Sequence, residues 1–201
     1  MSQRSRLYLV TPQIGDAAAL MRDLDAALGA GDVAAVLLRT DGDDERRLIN
    51  CAKAVAGIVQ RRDCALLLNG HHEIVARAGA DGAHLTGIDA LTAAIGMLKP
   101  DRIAGVGGLY SRHDAMLAAE AGADYAMFGD PLQAGEYREG GFRPPFDAIL
   151  ERLTWWAELF QPPCVGYAAN LDEVAPLVQA GAGNIRIAAR AEEAALIELC
   201  G

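Results

Sequence analysis

The stretch RAGADGAHL, residues 77–85, is one of four places where a glycine-containing turn leads directly into an apolar run. The other three are GAGDVAAVLL at 29–38, EAGADYAMF at 120–128 and QAGAGNIRI at 179–187. Apolar residues at helical spacing precede each glycine, and glycine suits the left-handed position that closes a helix. Each copy therefore predicts the end of a helix and the start of a strand. The predicted helix-closing glycines are Gly31, Gly79, Gly122 and Gly181.

The apolar runs after these glycines do not alternate with polar residues, which is typical of parallel strands that are buried on both faces. The spacing of the glycines leaves room for a second set of strand–helix units. Four more apolar runs fill those places: RLYLV at 6–10, CALLLN at 64–69, RIAGVG at 102–107 and PCVGYA at 163–168. Eight strands, each followed by a helical stretch, predict a single (β/α)8 TIM barrel over residues 1–201.

Composition and charge exclude several classes of partner. The 201 residues are 52% hydrophobic and carry a formal net charge of −9, which opposes binding to nucleic acid or to an anionic membrane surface. The apolar run near the start, LYLV, is too short for the core of a signal peptide, and no run approaches the length of a membrane span. The four cysteines form no CxxC pair. We therefore expect a cytoplasmic protein with reduced cysteines.

A TIM barrel forms its active site at the carboxyl ends of its strands, from the loops that lead into the helices. Polar residues follow several of the predicted strands here. Some of them are good helix N-cap types, and capping is the alternative to a site role for each. They are Asp16, Asp43, Ser111 and Asn170 or Asp172.

The motifs LYLVT, LLR, LLLN, AGADGAHL, IAGVG and AGADYAMFG occur in this order along the chain. Their order resembles that of the thiamine-phosphate synthase and TenI family, from about Leu7 to about Ala189. The resemblance implies the barrel fold, Mg²⁺ as cofactor, and the joining of a pyrimidine pyrophosphate to a thiazole phosphate with release of pyrophosphate. It therefore implies a small phosphorylated thiazole or pyrimidine as the ligand.

The resemblance implies catalytic roles for two residues, Arg39 and Asn69. At the second strand the family has Gln-x-Arg-x-Lys, and this chain keeps Arg39 but has Leu37 and Asp41 in place of the Gln and the Lys. At the third strand the family has Asn-Asp, and this chain keeps Asn69 but has Gly70 in place of the Asp. A solvated residue at a strand end is the alternative for Arg39.

The family binds Mg²⁺ through that replaced Asp and through the last residue of His-Leu-Gly-Gln-Glu-Asp at the fourth strand. This chain reads HLTGID, so the resemblance makes Asp89 the metal ligand. A helix cap or an acid in the first helical turn is the alternative for Asp89. We expect His84 of the same motif to be a hydrogen-bonded core residue near the barrel mouth. We expect the His-His-Glu run at 71–73 to begin an exposed helix rather than to bind metal.

The resemblance places phosphate contacts in further loops. The family has Ser after strand five, where this chain has Gly107, and Thr-x-Thr-Lys after strand six, where residues 130–144 contain neither Thr nor Lys. Arg138 and Arg143 are the cations of that loop, and Arg138 is a candidate substrate-binding residue. Backbone N–H groups near the ends of strands seven and eight are the remaining candidates. They belong to Gly166, Ala168, Ala188 and Ala189.

Two hypotheses of function follow from these replacements. One is a divergent enzyme of thiamine biosynthesis, with weak or absent synthase activity because the residues that stabilise pyrophosphate departure are replaced. The other is a non-catalytic barrel that binds a phosphorylated ligand or a protein partner. The stretch LTWWAELF at 153–160 is a candidate face for a homodimer, with packing of a helix on the barrel as the alternative.

Overall fold

The computed structural model describes residues 5–13, 17–40, 44–129, 143–181 and 185–190. Eight parallel strands form a closed barrel in chain order, from β1 paired with β2 round to β8 paired with β1. The strands are β1 Arg6–Val10, β2 Val33–Leu38, β3 Ala65–Asn69, β4 Gly82–Thr86, β5 Ile103–Gly107, β6 Tyr125–Phe128, β7 Cys164–Tyr167 and β8 Ile185–Arg190. All eight predicted strands and the predicted barrel are confirmed.

Helices follow the first seven strands and cover the outside of the barrel. They are α1 Ala17–Ala30, α2 Glu45–Val59, α3 Val75–Ala78, α4 Ile88–Leu98, α5 Arg112–Glu120, α6 Phe146–Leu159 and α7 Val174–Ala180. Short 3-10 turns span Gln60–Arg62, His72–Ile74 and Leu171–Glu173. Within the described residues, no helix has the length and apolar character needed to cross a bilayer.

The strands are apolar throughout because they pack on both faces, as the sequence predicted. One face lines the interior of the barrel, and the other packs against the helices in a larger cluster. The interior is filled by Tyr8, Val10, Ala35, Leu37, Leu67, Tyr125, Met127, Val165 and Tyr167. Along β1 and β2, residues that face the interior alternate with residues that face the helices. A residue that continues the inward-facing series beyond the end of a strand therefore faces the barrel mouth.

The glycines after the helices differ in backbone conformation. Gly79 and Gly122 adopt φ values of 69° and 92°, so the predicted left-handed helix closure is confirmed at both. The same prediction is wrong for Gly31, which is not among the glycines with positive φ, and for Gly181, whose φ is −133°. Because the φ of Gly181 is negative, the end of α7 does not use the left-handed conformation that favours glycine.

The predicted helix caps are partly confirmed. Ser111 caps α5, and Asn170 caps the 3-10 turn that precedes α7. The cap of α2 is Asp44, one residue after the predicted Asp43, because the helix starts at the next position. Asp43 and Asp16 lie outside the described residues.

The aromatic stretch at 153–160 packs on the barrel along one side of α6. Leu153 and Trp156 are fully buried, and the indole N–H of Trp156 donates to the carbonyl of Pro162 over 2.7 Å. Helix packing therefore accounts for the inner face of this stretch. Leu159 is 65% exposed on the same helix, and the homodimer stays a prediction.

Candidate functional site

The carboxyl ends of β1 and β2 are tied together at the barrel mouth. The buried Thr11 accepts a hydrogen bond from the backbone N–H of Arg39 over 2.9 Å, and its own N–H donates to the carbonyl of Leu37 over 3.0 Å. Leu37 faces the barrel interior. Because side chains alternate along a strand, Arg39, two residues further on, faces the barrel mouth. Arg39 is partly buried there.

Asn69 is the last residue of β3 and lies beside Arg39. Leu37 pairs with Leu67 in the ladder between β2 and β3. Continuing this register by two residues along each chain brings Arg39 opposite Asn69. On its other side Asn69 pairs with His84 of β4. The structure therefore places the two predicted catalytic residues on neighbouring strands at the same level of the mouth.

Gly70 turns the chain away from the barrel directly after Asn69. Its N–H donates to the carbonyl of His84 over 2.8 Å, and its φ is 74°. A side chain at this position would meet no heavy atom within 4 Å of its Cβ, so the space next to Asn69 is open. The family resemblance implies an aspartate at this position, and Gly70 supplies no carboxylate there.

Asp89 lies in the first turn of α4, where its side chain is exposed. The cap residue of this helix is Gly87 and not Asp89. Of the two alternatives for Asp89, a helix cap or an acid in the first turn, the position in the first turn is the one observed. Among the described residues, no three His, Cys, Asp or Glu side chains come close enough together to hold a metal ion. The role of Asp89 as a metal ligand stays a prediction.

Two of the predicted phosphate contacts, Gly166 and Ala168, lie at packed positions at the end of β7. A Cβ at Gly166 would lie 2.9 Å from Leu153 and 2.9 Å from Leu177, so this glycine allows α6 and α7 to pack against β7. Helix packing therefore accounts for the glycine, and the role of Gly166 in substrate binding stays a prediction. Ala168, directly after β7, is buried in the outer core as well.

The candidates on β8 lie within the ladder. Ala188 pairs with Tyr8 of β1 and with Tyr167 of β7, and Ala189 pairs with Leu9. Because β8 runs from Ile185 to Arg190, the two alanines lie within the strand, and their role in substrate binding stays a prediction. Arg138, the remaining substrate-binding candidate, lies outside the described residues.

A chain of three polar side chains crosses the barrel interior. The Tyr125 hydroxyl lies 2.9 Å from Nδ1 of His84 and 2.7 Å from the Tyr8 hydroxyl. The His84 ring also stacks on the Tyr125 ring, with 5.7 Å between their centroids. Burial lowers the pKa of His84 to about 4, so the imidazole is neutral at physiological pH. The prediction of a hydrogen-bonded core histidine is confirmed.

Arg143 joins the loop after β6 to the loop after β7 at the opposite side of the mouth. Its Nε donates to the carbonyl of Gly129, directly after β6, over 3.1 Å, and its Nη2 donates to the carbonyl of Tyr167 at the end of β7 over 2.6 Å. The same guanidinium donates to both carboxylate oxygens of Glu173, over 2.8 and 2.7 Å. Glu173 in turn accepts from the backbone N–H of Ala169 over 2.8 Å.

Glu173 stays ionised within this arrangement. Burial alone would raise the pKa of its carboxyl, but the hydrogen bonds from Arg143 and from the Ala169 N–H, together with the Arg143 charge, outweigh it and lower that pKa. The side chains of Arg143 and Glu173 are 24% and 13% exposed. The rim of the barrel therefore holds a partly buried ion pair between the loops after β6 and β7.

The comparisons with known proteins agree with this architecture. A family model described as thiamine monophosphate synthase matches residues 7–190. The chain belongs to this family. The thiamine-phosphate synthase of Rhodospirillum centenum is 41% identical over 184 residues, which cover 90% of this chain and 86% of the relative. That of Hyphomonas neptunium is 38% identical over 191 residues, which cover 92% of this chain and 84% of the relative.

Solved structures support the fold of this thiamine monophosphate synthase family member. Thiamine phosphate pyrophosphorylase from Pyrococcus furiosus superposes with a TM-score of 0.73 and covers 97% of this chain and 91% of its own. Because the two sequences are only 21% identical, that likeness concerns the barrel itself. The family match and the two relatives confirm the resemblance that was predicted from the strand-end motifs.

Sequence reasoning about this family member missed two groups of residues. The tyrosines of the interior chain belong to no recognisable motif. Gly105, whose small size makes room for the Tyr125 ring, was the one sequence feature that could have indicated them. Glu173 stands three residues after Asn170, the spacing of a capping box, which could have drawn attention to it. Its partnership with Arg143 joins residues of different loops and has no local signal.

Proposed function

We propose that this chain is a thiamine-phosphate synthase-type protein of the cytoplasm that binds a phosphorylated thiazole or pyrimidine at the barrel mouth and has weak or no synthase activity. Family membership and two relatives named thiamine-phosphate synthase support the class of ligand. The adjacent placement of Arg39 and Asn69 at the mouth supports the location. Arg39 supplies a cation for a phosphate oxygen, and Asn69 supplies an amide that matches a pyrimidine edge.

Gly70 is the observation that carries the weak-activity part of the proposal. By the family resemblance it stands in the place of an aspartate, and a Cβ there would meet no atom within 4 Å. Asp89 on α4 is exposed, and one exposed carboxylate replaces little of the hydration shell of Mg²⁺. The described residues therefore do not fit a two-carboxylate Mg²⁺ site, and the proposal assigns no reaction step to the metal.

The contacts to a leaving pyrophosphate are also replaced. Asp41 puts an anion where the family has Lys, so it opposes the charge that the site would have to hold. Arg143 already donates to Glu173 and to two carbonyls, so a substrate anion has to displace Glu173 before it reaches the guanidinium. Each lost stabilising contact to a transition state typically costs about 10²- to 10³-fold in rate, so several losses together leave little catalysis.

A strain that lacks thiamine-phosphate synthase tests the proposal. We expect this chain to fail to restore growth without thiamine at ordinary expression, whereas the relative from Rhodospirillum centenum in the same vector restores it. The double variant Gly70→Asp/Asp41→Lys should improve rescue, since Asp tolerates a φ of 74° better than most residues and meets no clash at this position. Rapid growth with the unchanged chain would refute weak activity. Failure of the double variant with full binding of thiazole phosphate would favour a barrel that only binds its ligand.

A further inference from the structure

The contacts of Glu173 have the chemistry of a bound anion. Its carboxylate receives two N–H groups from the Arg143 guanidinium and one from the backbone of Ala169. A planar guanidinium with a backbone amide beside it is the donor set that proteins use to hold carboxylate and phosphate groups. Here the anion that fills this set belongs to the chain itself.

The cation of this arrangement is held in place independently of Glu173. Nε of Arg143 is fixed by the Gly129 carbonyl and Nη2 by the Tyr167 carbonyl, so contacts to two strand ends orient the guanidinium. Its carbon also lies 5.9 Å from the centre of the Phe146 ring. Removing the carboxylate would therefore leave an oriented, partly buried cation next to the Ala169 N–H.

We propose that Arg143 and the Ala169 N–H form an anion site at the mouth, and that the Glu173 carboxylate occupies it as an internal competitor for a phosphoryl group. The loops after β6 and β7 meet at this site, on the face of the barrel where Arg39 and Asn69 lie. An anionic ligand reaches the guanidinium by displacing Glu173. The proposal deepens the proposed function, because it locates a phosphoryl contact, but it concerns anion binding and not synthesis.

Capping alone does not account for these contacts. Glu173 stands at the third position after the cap residue Asn170, where a glutamate reaches back to a backbone N–H at the start of a helix. That role explains the bond to Ala169. It does not explain why the carboxylate also accepts from two nitrogens of an arginine that belongs to the loop after β6.

Calorimetric titration with inorganic phosphate tests the site. In Glu173→Gln the charge of the competitor is removed while its shape is kept, and we expect the dissociation constant for phosphate to fall about tenfold or more, as one charge-assisted contact would give. Adding Arg143→Gln to that variant should abolish the gain. Glu151→Gln is the matched control, since it makes the same change in net charge and releases Arg112 from an exposed pair on the outer helices. It should leave phosphate binding unchanged.

Two results would overturn the proposal. One is unchanged phosphate affinity in a folded Glu173→Gln protein, and the other is an equal gain in Glu151→Gln, which would reflect net charge alone. Should Glu173→Gln fail to fold, amide spectra of the unchanged protein decide the matter. Phosphate should then shift the Ala169 amide and Arg143 Nε resonances at high concentration, and the absence of these shifts contradicts the site. Phosphate binding at this site together with synthase activity close to that of the relative from Rhodospirillum centenum would leave this inference standing while the proposed function fails.

Discussion

Arg143 and Glu173 form a two-point ion pair, with N–O distances of 2.8 and 2.7 Å, between the loop after β6 and the turn after β7. Both side chains are largely buried, so the pair differs from the exposed pairs on the outer helices. The first prediction concerns its energy. Arg143→Ala should lower the free energy of unfolding by about 2 to 4 kcal/mol, because it leaves the Glu173 charge desolvated and removes the donors of two carbonyls.

Arg62→Ala is the control for that substitution. It breaks the pair with Asp25, whose members are 41% and 58% exposed, and solvent replaces such contacts at little cost. Urea denaturation of both variants measures the difference. Equal losses in the two variants would show that the Arg143 contacts contribute no more than a surface pair.

The interior chain gives the second prediction. Tyr125→Phe removes the hydroxyl that lies between His84 and Tyr8, and it leaves the buried Nδ1 of His84 without the partner it has in the structure. We expect a loss of about 1 to 3 kcal/mol in the free energy of unfolding. Tyr8→Phe should cost less, because Tyr125 keeps its bond to His84. The opposite order of the two losses would contradict the geometry of this chain.

The pKa of His84 predicts how stability changes with pH. Burial lowers the folded-state pKa to about 4, below the value of 6.5 for an ordinary histidine, so the unfolded chain binds its proton first as the pH falls. His84 therefore costs the folded state nothing above about pH 6.5 and destabilises it progressively down to about pH 4.

Denaturation at about pH 7 and about pH 5 measures this dependence. We expect His84 to account for a loss of about 2 kcal/mol between them, and His84→Gln should remove that part of the slope. The low pKa of Glu173 keeps its own contribution to acid sensitivity below this interval. His113→Gln, at an exposed position, is the control. An unchanged slope in His84→Gln would show that another group titrates.

Two glycines in different surroundings provide the fourth prediction. A Cβ at Gly105 would overlap the ring of Tyr125, so Gly105→Ala should destabilise the protein by about 3 kcal/mol or more through overpacking of the barrel interior. A Cβ at Gly57, within α2, would meet nothing within 4 Å. Gly57→Ala should stabilise by about 0.5 to 1 kcal/mol, since alanine is the better helix former. Similar melting temperatures for the two variants would contradict the packing described here.

The barrel could be predicted from sequence because its signals are local and repeated. Runs such as VAAVLL and CALLLN are apolar without alternation, and a turn with glycine precedes four of the eight runs. Each strand can therefore be predicted from its own short segment of sequence. The count of eight then leaves one closed arrangement. Details of the turns were less predictable, since Gly181 closes its helix without the left-handed conformation.

The site was only partly predictable, because its contacts join residues that are distant in sequence. Arg39 and Asn69 could be found from strand-end motifs, and the parity of β2 and β3 brings them together. Gly166 faces Leu153 and Leu177 of the outer helices. The sequence around Gly166 does not predict these contacts. The pairing of Arg143 with Glu173 likewise requires the closed barrel.

Pyrophosphate release by the purified protein, supplied with a pyrimidine pyrophosphate, a thiazole phosphate and Mg²⁺, tests the central claim most directly. The relative from Rhodospirillum centenum, assayed in parallel, sets the reference rate. With Gly70 and Asp41 in place of residues that stabilise the leaving group, we predict a rate lower by about 100-fold or more. A rate within a few-fold of the relative, dependent on Mg²⁺, would contradict the claim and show that other residues of this barrel have taken over those contacts.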